Sequence, residues 1–206
     1  MPTKRPIHEK IQENEQEQCQ VKGCFKSRHR IEAYCKNHAY QRRYWGHPEA
    51  HRIRKSDYSV ESDQVRAIIM RNIDHPGINL GIEFFERWLK RASQRSPHVP
   101  CPELISRLHD AGVSPVDLLV EMAALWVLGY QDRGLVKSDL HLTYLLGSKL
   151  IRFVPYPVNL KGTVHHKCGQ YIRDNIGVLL MNILRSVEKK EVVKDEASRV
   201  MGSALF

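Results

Sequence analysis

The sequence predicts a mainly α-helical protein in which a small cysteine-rich module precedes an all-α domain. Three observations support this prediction. Three of the five cysteines fall within seventeen residues, from Cys19 to Cys35. From Ser62 onward, apolar residues recur at the spacing of amphipathic helices. No stretch shows the extended alternation of apolar and polar residues that is typical of a half-buried strand.

The cysteine-rich segment offers four metal ligands in the order Cys19, Cys24, Cys35 and His38. Thiolate and imidazole groups in two close pairs are the ligands of tetrahedral zinc. Gly23, within the first pair, can adopt the positive φ of a tight turn, and the second pair shares one helical face. We therefore expect one structural Zn²⁺ held by these four residues.

Two other interpretations of these residues stay open. His29 is an alternative fourth ligand if the segment between the pairs is short. The cysteines could also be unliganded core residues or disulfide partners, although the segment is too polar for a core. A module of this size cannot bury a sufficient core unaided, which favours the metal.

The segments between and after the ligands predict the fold of this module. Residues 25–34 are enough for a short hairpin. A helix is expected from Cys35 to Trp45, ended by Gly46 and Pro48. A knuckle, a hairpin and a helix that supplies the last two ligands follow one another in a treble-clef zinc finger. The sequence thus predicts a treble-clef-like zinc module over residues 19–48.

The positive charge of the chain is concentrated in and after this module. Residues 19–56 contain ten Lys and Arg against two Glu, a net charge of +8, while the whole chain has +9. Such concentration indicates a polyanion-binding surface. The candidate nucleic-acid contacts are Lys22, Lys26, Arg28, Arg30, Lys36, Tyr40, Arg42, Arg43, Arg52, Arg54 and Lys55. On a helix from Cys35, Lys36, Tyr40, Arg43 and Tyr44 point away from the metal, where they could reach a major groove.

The module resembles the small treble-clef Cys3His zinc modules of bacteriophage and mobile-element proteins, which bind DNA or accompany HNH nucleases. The matching features are the C-x4-C pair followed by Tyr34, Cys35, His38, Arg42, Gly46 and Pro48. The resemblance covers about residues 19–48. It implies treble-clef geometry and a DNA-associated function, and it raises the question of whether a nuclease follows.

An HNH nuclease requires a paired His or Asp-His, an Asn and a further His on a hairpin and helix. Asp74-His75 has Asn79 too close to cross a hairpin. His165-His166 is followed by Asn175 but by no later histidine. We therefore expect no enzyme.

The rest of the chain divides by its charge and periodicity. Residues 1–18 are a polar segment, either a solvated helix or disordered, and residues 49–62 read as a basic linker. Residues 63–154 predict a helical domain, whose residues 118–128 form its central buried helix because they are almost wholly apolar. In residues 155–206, a loop precedes an amphipathic helix that packs on this domain or forms a dimer seam. His165 and His166, with Lys161, Lys167 and Arg173, suggest a basic loop suited to phosphate.

The sequence contains no apolar run of membrane-spanning length and does not begin as a signal peptide. We therefore expect a cytoplasmic protein without a membrane partner, in which Cys101 and Cys168 are thiols.

The functional expectation is a DNA-binding regulator of transcription or replication that acts by occupancy. A divergent HNH-like nuclease and a factor that targets a host protein are the alternatives. RNA stays open because Tyr40, Tyr44 and Trp45 could stack on unpaired bases, and a homodimer through the helical domain is compatible with the pattern.

Overall fold

The computed structural model describes residues 6–94, 96, 99–132, 134–155 and 162–203, with side chains from residue 163 to 189 in the last range. These ranges form eight α-helices. In chain order they are α1 (Ile7–Gln16), α2 (Lys36–Trp45), α3 (Ser59–Arg71), α4 (Pro76–Ser93), α5 (Pro102–Asp110), α6 (Pro115–Gln131), α7 (Asp139–Lys149) and α8 (Gly162–Ser203). Short 3-10 turns cover Lys55–Tyr58 and Leu150–Phe153. No β-strand occurs in the described ranges, so the prediction of a mainly α-helical fold is confirmed.

Helix α6 is the centre of the helical domain because its apolar side chains face in every direction. Each residue from Leu118 to Gly129 is buried, as the sequence predicts. Pro115 takes the first helical position, where its missing N–H loses no hydrogen bond. Helices α3, α4, α7 and α8 all pack against α6.

The apolar face of helix α8 is buried by other helices of the same chain. Ile172, Ile176, Leu180, Ile183 and Val187 are buried, and α8 contacts α7, α6, α4 and α3. Over the residues whose side chains are described, this helix packs on the helical domain.

Glycines allow α7 and α8 to cross at very close range. A Cβ atom at Gly147 would collide with the carbonyl of His165, and one at Gly169 would collide with the carbonyl of Thr143. These obstacles are backbone atoms, which cannot rotate away. The crossing therefore fixes the start of α8 beside the middle of α7.

Cys101 and Cys168 form a disulfide between the start of α5 and α8, with Cα atoms 6.3 Å apart. The expectation that both are thiols was wrong. This pairing has no local signal in the sequence, because 67 positions separate the two cysteines and only the tertiary structure brings the start of α5 to α8.

The segment expected to be a linker is held against the helical domain. Ala50, Ile53 and Tyr58 are fully buried, and the Lys149 Nζ donates a hydrogen bond to the Ile53 carbonyl. Helix α3 already begins at Ser59. The metal module therefore joins the helical domain through a packed segment. No helix in the described ranges has the length and apolar character needed to cross a membrane.

The predicted basic loop before the last helix is also different in the structure. His165, His166 and Lys167 lie in the first turns of α8, while Lys161 falls outside the described residues. Arg173 donates hydrogen bonds to the Asp139 carbonyl and the Thr143 hydroxyl, at 2.9 and 2.7 Å. The expectation of a loop at these histidines was wrong.

The α7–α8 crossing predicts opposite effects of two glycine substitutions on the same helix. Gly169→Ala should lower the free energy of unfolding by about 1–3 kcal/mol, because the added methyl group overpacks the crossing. Gly177→Ala should be neutral or raise it by about 0.5–1 kcal/mol, because its Cβ would meet Trp126 at an ordinary 3.7 Å and alanine favours the helix. Urea unfolding followed by circular dichroism measures both. Equal stabilities of the two variants would contradict the close crossing.

Candidate metal centre and basic surface

The four predicted ligands meet at one point. The Sγ atoms of Cys19, Cys24 and Cys35 and a ring nitrogen of His38 all lie within 4.8 Å of one another. His38 Nδ1 is 3.3 Å from Cys19 Sγ and 3.5 Å from Cys35 Sγ, and the Cys24 and Cys35 sulfurs are 3.9 Å apart. A tetrahedron with metal–sulfur bonds of about 2.3 Å has edges of about 3.8 Å. The cluster can therefore hold one metal ion with little rearrangement.

Backbone turns bring the first two cysteines together. The Cys24 amide donates to the Val21 carbonyl at 3.0 Å, and Gly23 provides the left-handed φ of 79° that this turn requires. The Cys19 amide donates to the Lys26 carbonyl at 2.9 Å. These bonds form a knuckle, the tight turn that the sequence predicts between the first two cysteines.

The second pair of ligands belongs to the start of α2. Cys35 is the N-cap residue, and its carbonyl accepts from the Ala39 amide at 2.8 Å. His38 is in the first turn, so both ligands face the knuckle. Gly46 ends the helix with a φ of 81°, as expected from its place before Pro48.

The hairpin expected over residues 25–34 does not form. The antiparallel bridge joins Gln18 to Ser27 and therefore closes the knuckle itself. A separate bond from the His29 amide to the Tyr34 carbonyl, at 2.9 Å, returns the chain toward α2. His29 is not part of the ligand cluster in the described structure, so the geometry favours His38 as the fourth ligand.

The thiols in this cluster differ in their affinity for protons. Burial opposes ionisation of Cys19, but hydrogen bonds from the Cys35 and Val21 amides and from His38 outweigh it and lower its pKa to about 6. The Lys26 amide favours ionisation of Cys24, yet burial and the neighbouring Cys19 raise the pKa of Cys24. Adjacent thiolates repel each other, and a bound divalent cation would remove that repulsion.

The module has almost no apolar core. Between residues 19 and 48 only Cys19, Cys35 and Ala39 are buried, and two of these three are ligands. Burial of so little apolar surface cannot offset the conformational entropy of thirty residues. The candidate metal ligands therefore occupy the position that a hydrophobic core has in a larger domain.

Helix α1 belongs to this module, although the sequence indicated only a polar segment. The Asn14 side chain donates to the carbonyls of Arg30 and Glu32 at 2.7 and 2.8 Å. Arg28 donates to the Gln18 carbonyl at 3.0 Å and to the Asn14 side chain at 3.3 Å. These polar contacts, which have no periodic signal in the sequence, tie α1 to the loop between the ligand pairs.

Most of the predicted nucleic-acid contacts are exposed to solvent. The exposed set is Lys22, Lys26, Arg30, Lys36, Tyr40, Arg42, Arg43, Arg52 and Arg54. Arg42 and Arg43 both approach Glu32, at 3.7 and 3.2 Å, while their side chains stay 57% and 66% exposed. Such exposed ion pairs contribute little and exchange easily for other anions.

Lys55 has an internal partner. Its Nζ lies 2.6 Å from Glu121, which is only 4% exposed on the otherwise apolar α6. Arg152 reaches the same carboxylate at 3.0 Å, and the Tyr58 hydroxyl donates to it. Burial, reinforced by Glu121, raises the pKa of Tyr58. A single glutamate within an apolar helix was the only sequence signal of this network.

The two candidate nuclease motifs lie on helices or their caps. His75 is the N-cap of α4 and accepts from the Gly77 amide at 3.1 Å. His165, His166 and Asn175 are all in α8, and Asn175 donates to the Tyr171 carbonyl one turn earlier. Neither pair is on a hairpin.

No protein-family model, curated protein or solved structure matches this chain.

The metal centre predicts a specific effect of histidine substitution. The purified wild-type protein should contain about one equivalent of divalent metal, and His38→Ala should lower the metal content or the affinity for metal strongly, because one of four ligands is lost. His29→Ala is the matched control and should retain the full equivalent. Elemental analysis and the absorption spectrum of the Co²⁺-substituted protein measure this. Loss of metal from His29→Ala, with retention in His38→Ala, would reverse the assignment.

The buried carboxylate predicts unequal effects of two substitutions on α6. Glu121→Ala should lower the free energy of unfolding by about 3 kcal/mol, because it leaves Lys55 and Arg152 without their shared partner. Asp117→Ala, one turn earlier, removes a surface pair with Arg66 and should cost less than about 1 kcal/mol. Denaturant unfolding followed by tryptophan fluorescence compares them. A cost at Glu121 no larger than that at Asp117 would contradict the internal role of the network.

Proposed function

We propose that this chain is a zinc-stabilised DNA-binding protein of the phage or mobile-element type, which regulates transcription or replication by occupying its target. One observation supports it above the others. The Cys3His cluster and nearly all of the net positive charge occur together on one small module and its exit segment.

Zinc is the metal that this ligand set favours. Three thiolates and one imidazole are soft and borderline donors, which select Zn²⁺ over Mg²⁺ or Ca²⁺. Four protein ligands fill a tetrahedral site and leave no position for water or substrate, so the metal has a structural role. The knuckle and the helix that supplies the second pair fit a treble-clef-like module.

The exposed side of α2 is the proposed contact surface. Lys36 and Arg43 are exposed, and Tyr40 is 55% exposed and pairs with Tyr44 at a ring distance of 4.2 Å. Helix α2 also contacts α7 and α8. Cations on the outward side would contact phosphates, and arginine would read guanine edges.

Two of the predicted contacts have partners within the chain. Arg28 is half-buried and holds α1, and Lys55 pairs with Glu121, so the proposed interface leaves out both. Arg42 and Arg43 stay in it, because both guanidinium groups are largely exposed and phosphates can replace Glu32 as their partner. The proposed interface comprises Lys22, Lys26, Arg30, Lys36, Tyr40, Arg42, Arg43, Arg52 and Arg54.

A second candidate function is binding of a protein, such as a host factor. Two large apolar side chains of the module are exposed, Phe25 at 85% and Ile31 at 69%. Exposed apolar groups among cations are suited to an acidic protein with an apolar patch. If the protein binds DNA, Phe25→Ser should leave the affinity for DNA nearly unchanged. If it binds an acidic protein, the same substitution should weaken the binding of that protein.

The DNA-binding proposal predicts a large effect of charge reversal on α2. The triple substitution of Lys36, Arg42 and Arg43 to Glu should weaken binding to duplex DNA by about 100-fold or more, because three phosphate contacts are lost. The slope of log K against log salt concentration should become shallower by about 0.9 for each lost contact. Thermal stability should change little, because all three side chains are exposed. A gel-shift titration at several salt concentrations, with duplex DNA, single-stranded DNA and RNA as probes, measures affinity, salt slope and preference.

The matched control changes the net charge equally on another helix. Arg87, Lys90 and Arg91 are exposed on α4, and their substitution to Glu should leave most of the affinity intact. An equal loss of DNA affinity in both triple variants would show that binding depends on the net charge of the protein and not on the surface of α2. Absence of binding by the wild-type protein to all three nucleic acids would remove the proposal.

A further inference from the structure

A cavity of about 350 Å³ lies where the metal module meets the helical domain. Its walls come from the end of α2, residues 51–53, α7, the turn Leu150–Phe153 and the start of α8. Its volume is in the range of small-molecule sites. None of the proposed α2 contacts lines it, so it is separate from the outward surface of that helix.

The wall of the cavity is cationic. Arg52, Lys149 and Arg152 line it, and none of its lining residues in the described structure is an acid. Arg152 is already paired with Glu121. Within the described chain, Arg52 and Lys149 form no ion pair with a carboxylate, so both are available to an anion.

Lys149 is an unusual residue for such a position. Its side chain is buried at 8% exposure and donates to the Ile53 carbonyl, which leaves further N–H groups of the ammonium to bind a ligand. Burial and the positive charge of Arg152 lower its pKa to about 8. An anion in the cavity would stabilise the charged ammonium.

His165 provides a second, independent sign of a ligand. It lines the cavity at 6% exposure, and its Nδ1 has no hydrogen-bond partner within the described residues. A buried nitrogen without a hydrogen-bond partner destabilises the folded protein. A ligand that hydrogen-bonds to this nitrogen would offset that cost.

The same cavity has aromatic walls. Trp45, at the end of α2, and Tyr144, on α7, both line it. The Tyr144 ring meets His165 edge-on at a centroid distance of 5.2 Å. Flat aromatic faces beside cations are the arrangement that holds a nucleobase and its phosphate.

We propose that this cavity binds a nucleoside phosphate, with the phosphate against Arg52 and Lys149 and the base against Trp45 and Tyr144. This nucleoside phosphate is either a free mononucleotide or the phosphorylated end of a nucleic acid strand. Both present a base, a sugar and a terminal phosphate. The proposal shares only Arg52 with the basic surface and does not depend on the DNA-binding function.

Isothermal titration calorimetry of the full chain with AMP, adenosine and inorganic phosphate tests this site. AMP should bind with a Kd below about 1 mM, and adenosine and phosphate should each bind at least about tenfold more weakly, since each lacks one half of the ligand. Arg52→Gln should weaken AMP binding at least about tenfold through loss of a charge-assisted contact. Arg54→Gln, the same charge change two residues away and outside the cavity wall, should leave it unchanged.

A third variant separates binding from folding. His165→Phe keeps an aromatic ring against Tyr144 but removes the nitrogens, so it should weaken AMP binding without lowering the melting temperature. No heat of binding at millimolar AMP would overturn the proposal, and so would equal affinities of Arg52→Gln and Arg54→Gln.

Short DNA strands that carry a 5′-phosphate or a 5′-hydroxyl identify the source of the ligand. The protein used is the variant in which Lys36, Arg42 and Arg43 are all changed to Glu, so that the outward surface of α2 does not contribute to binding. Tighter binding of the 5′-phosphate strand, abolished by Arg52→Gln, identifies a strand end. Equal binding of both strands beside tight binding of AMP identifies a free nucleotide.

Discussion

The structure depends on the meeting of three sulfurs and one imidazole nitrogen within reach of a single ion. Around this point the chain has little apolar surface to bury, since Ala39 is the only buried residue of the module that is not a ligand. Hydrogen bonds of the knuckle and the cap of α2 place these four residues, and a bound cation would allow the adjacent thiolates to coexist. Such a cation would also set the direction of α2 and of its cationic side chains.

The metal module is also coupled to the helical domain by packing. Gly46, which ends α2, lies so close to Leu140 that a Cβ there would clash with it. Ile53 and Tyr58 then enter the core, and Lys55 meets the buried Glu121. The module is thus held against α7, and Trp45 and Arg52 of the module side line the cationic cavity together with Lys149 of α7.

Features that depend on residues close together in the sequence could be predicted from it. The four ligands, the end of α2 at Gly46 and the buried residues of α6 are local, because each follows from neighbours within a few turns of the chain. The pairing of Cys101 with Cys168, the contact of α1 through Asn14 and the partners of Glu121 are different. They depend on residues far apart in sequence that only the packed helices bring together. The expected hairpin does not form because the Arg28 amide donates to the Glu17 carbonyl and the His29 amide to the Tyr34 carbonyl, which leaves no second strand in this segment.

X-ray absorption spectroscopy of the purified protein at the zinc edge shows whether these four residues hold a metal ion. We expect stoichiometric zinc with three sulfur ligands at about 2.3 Å and one nitrogen ligand at about 2.0–2.1 Å. A spectrum with only nitrogen and oxygen ligands, or a folded protein without stoichiometric metal, would contradict it.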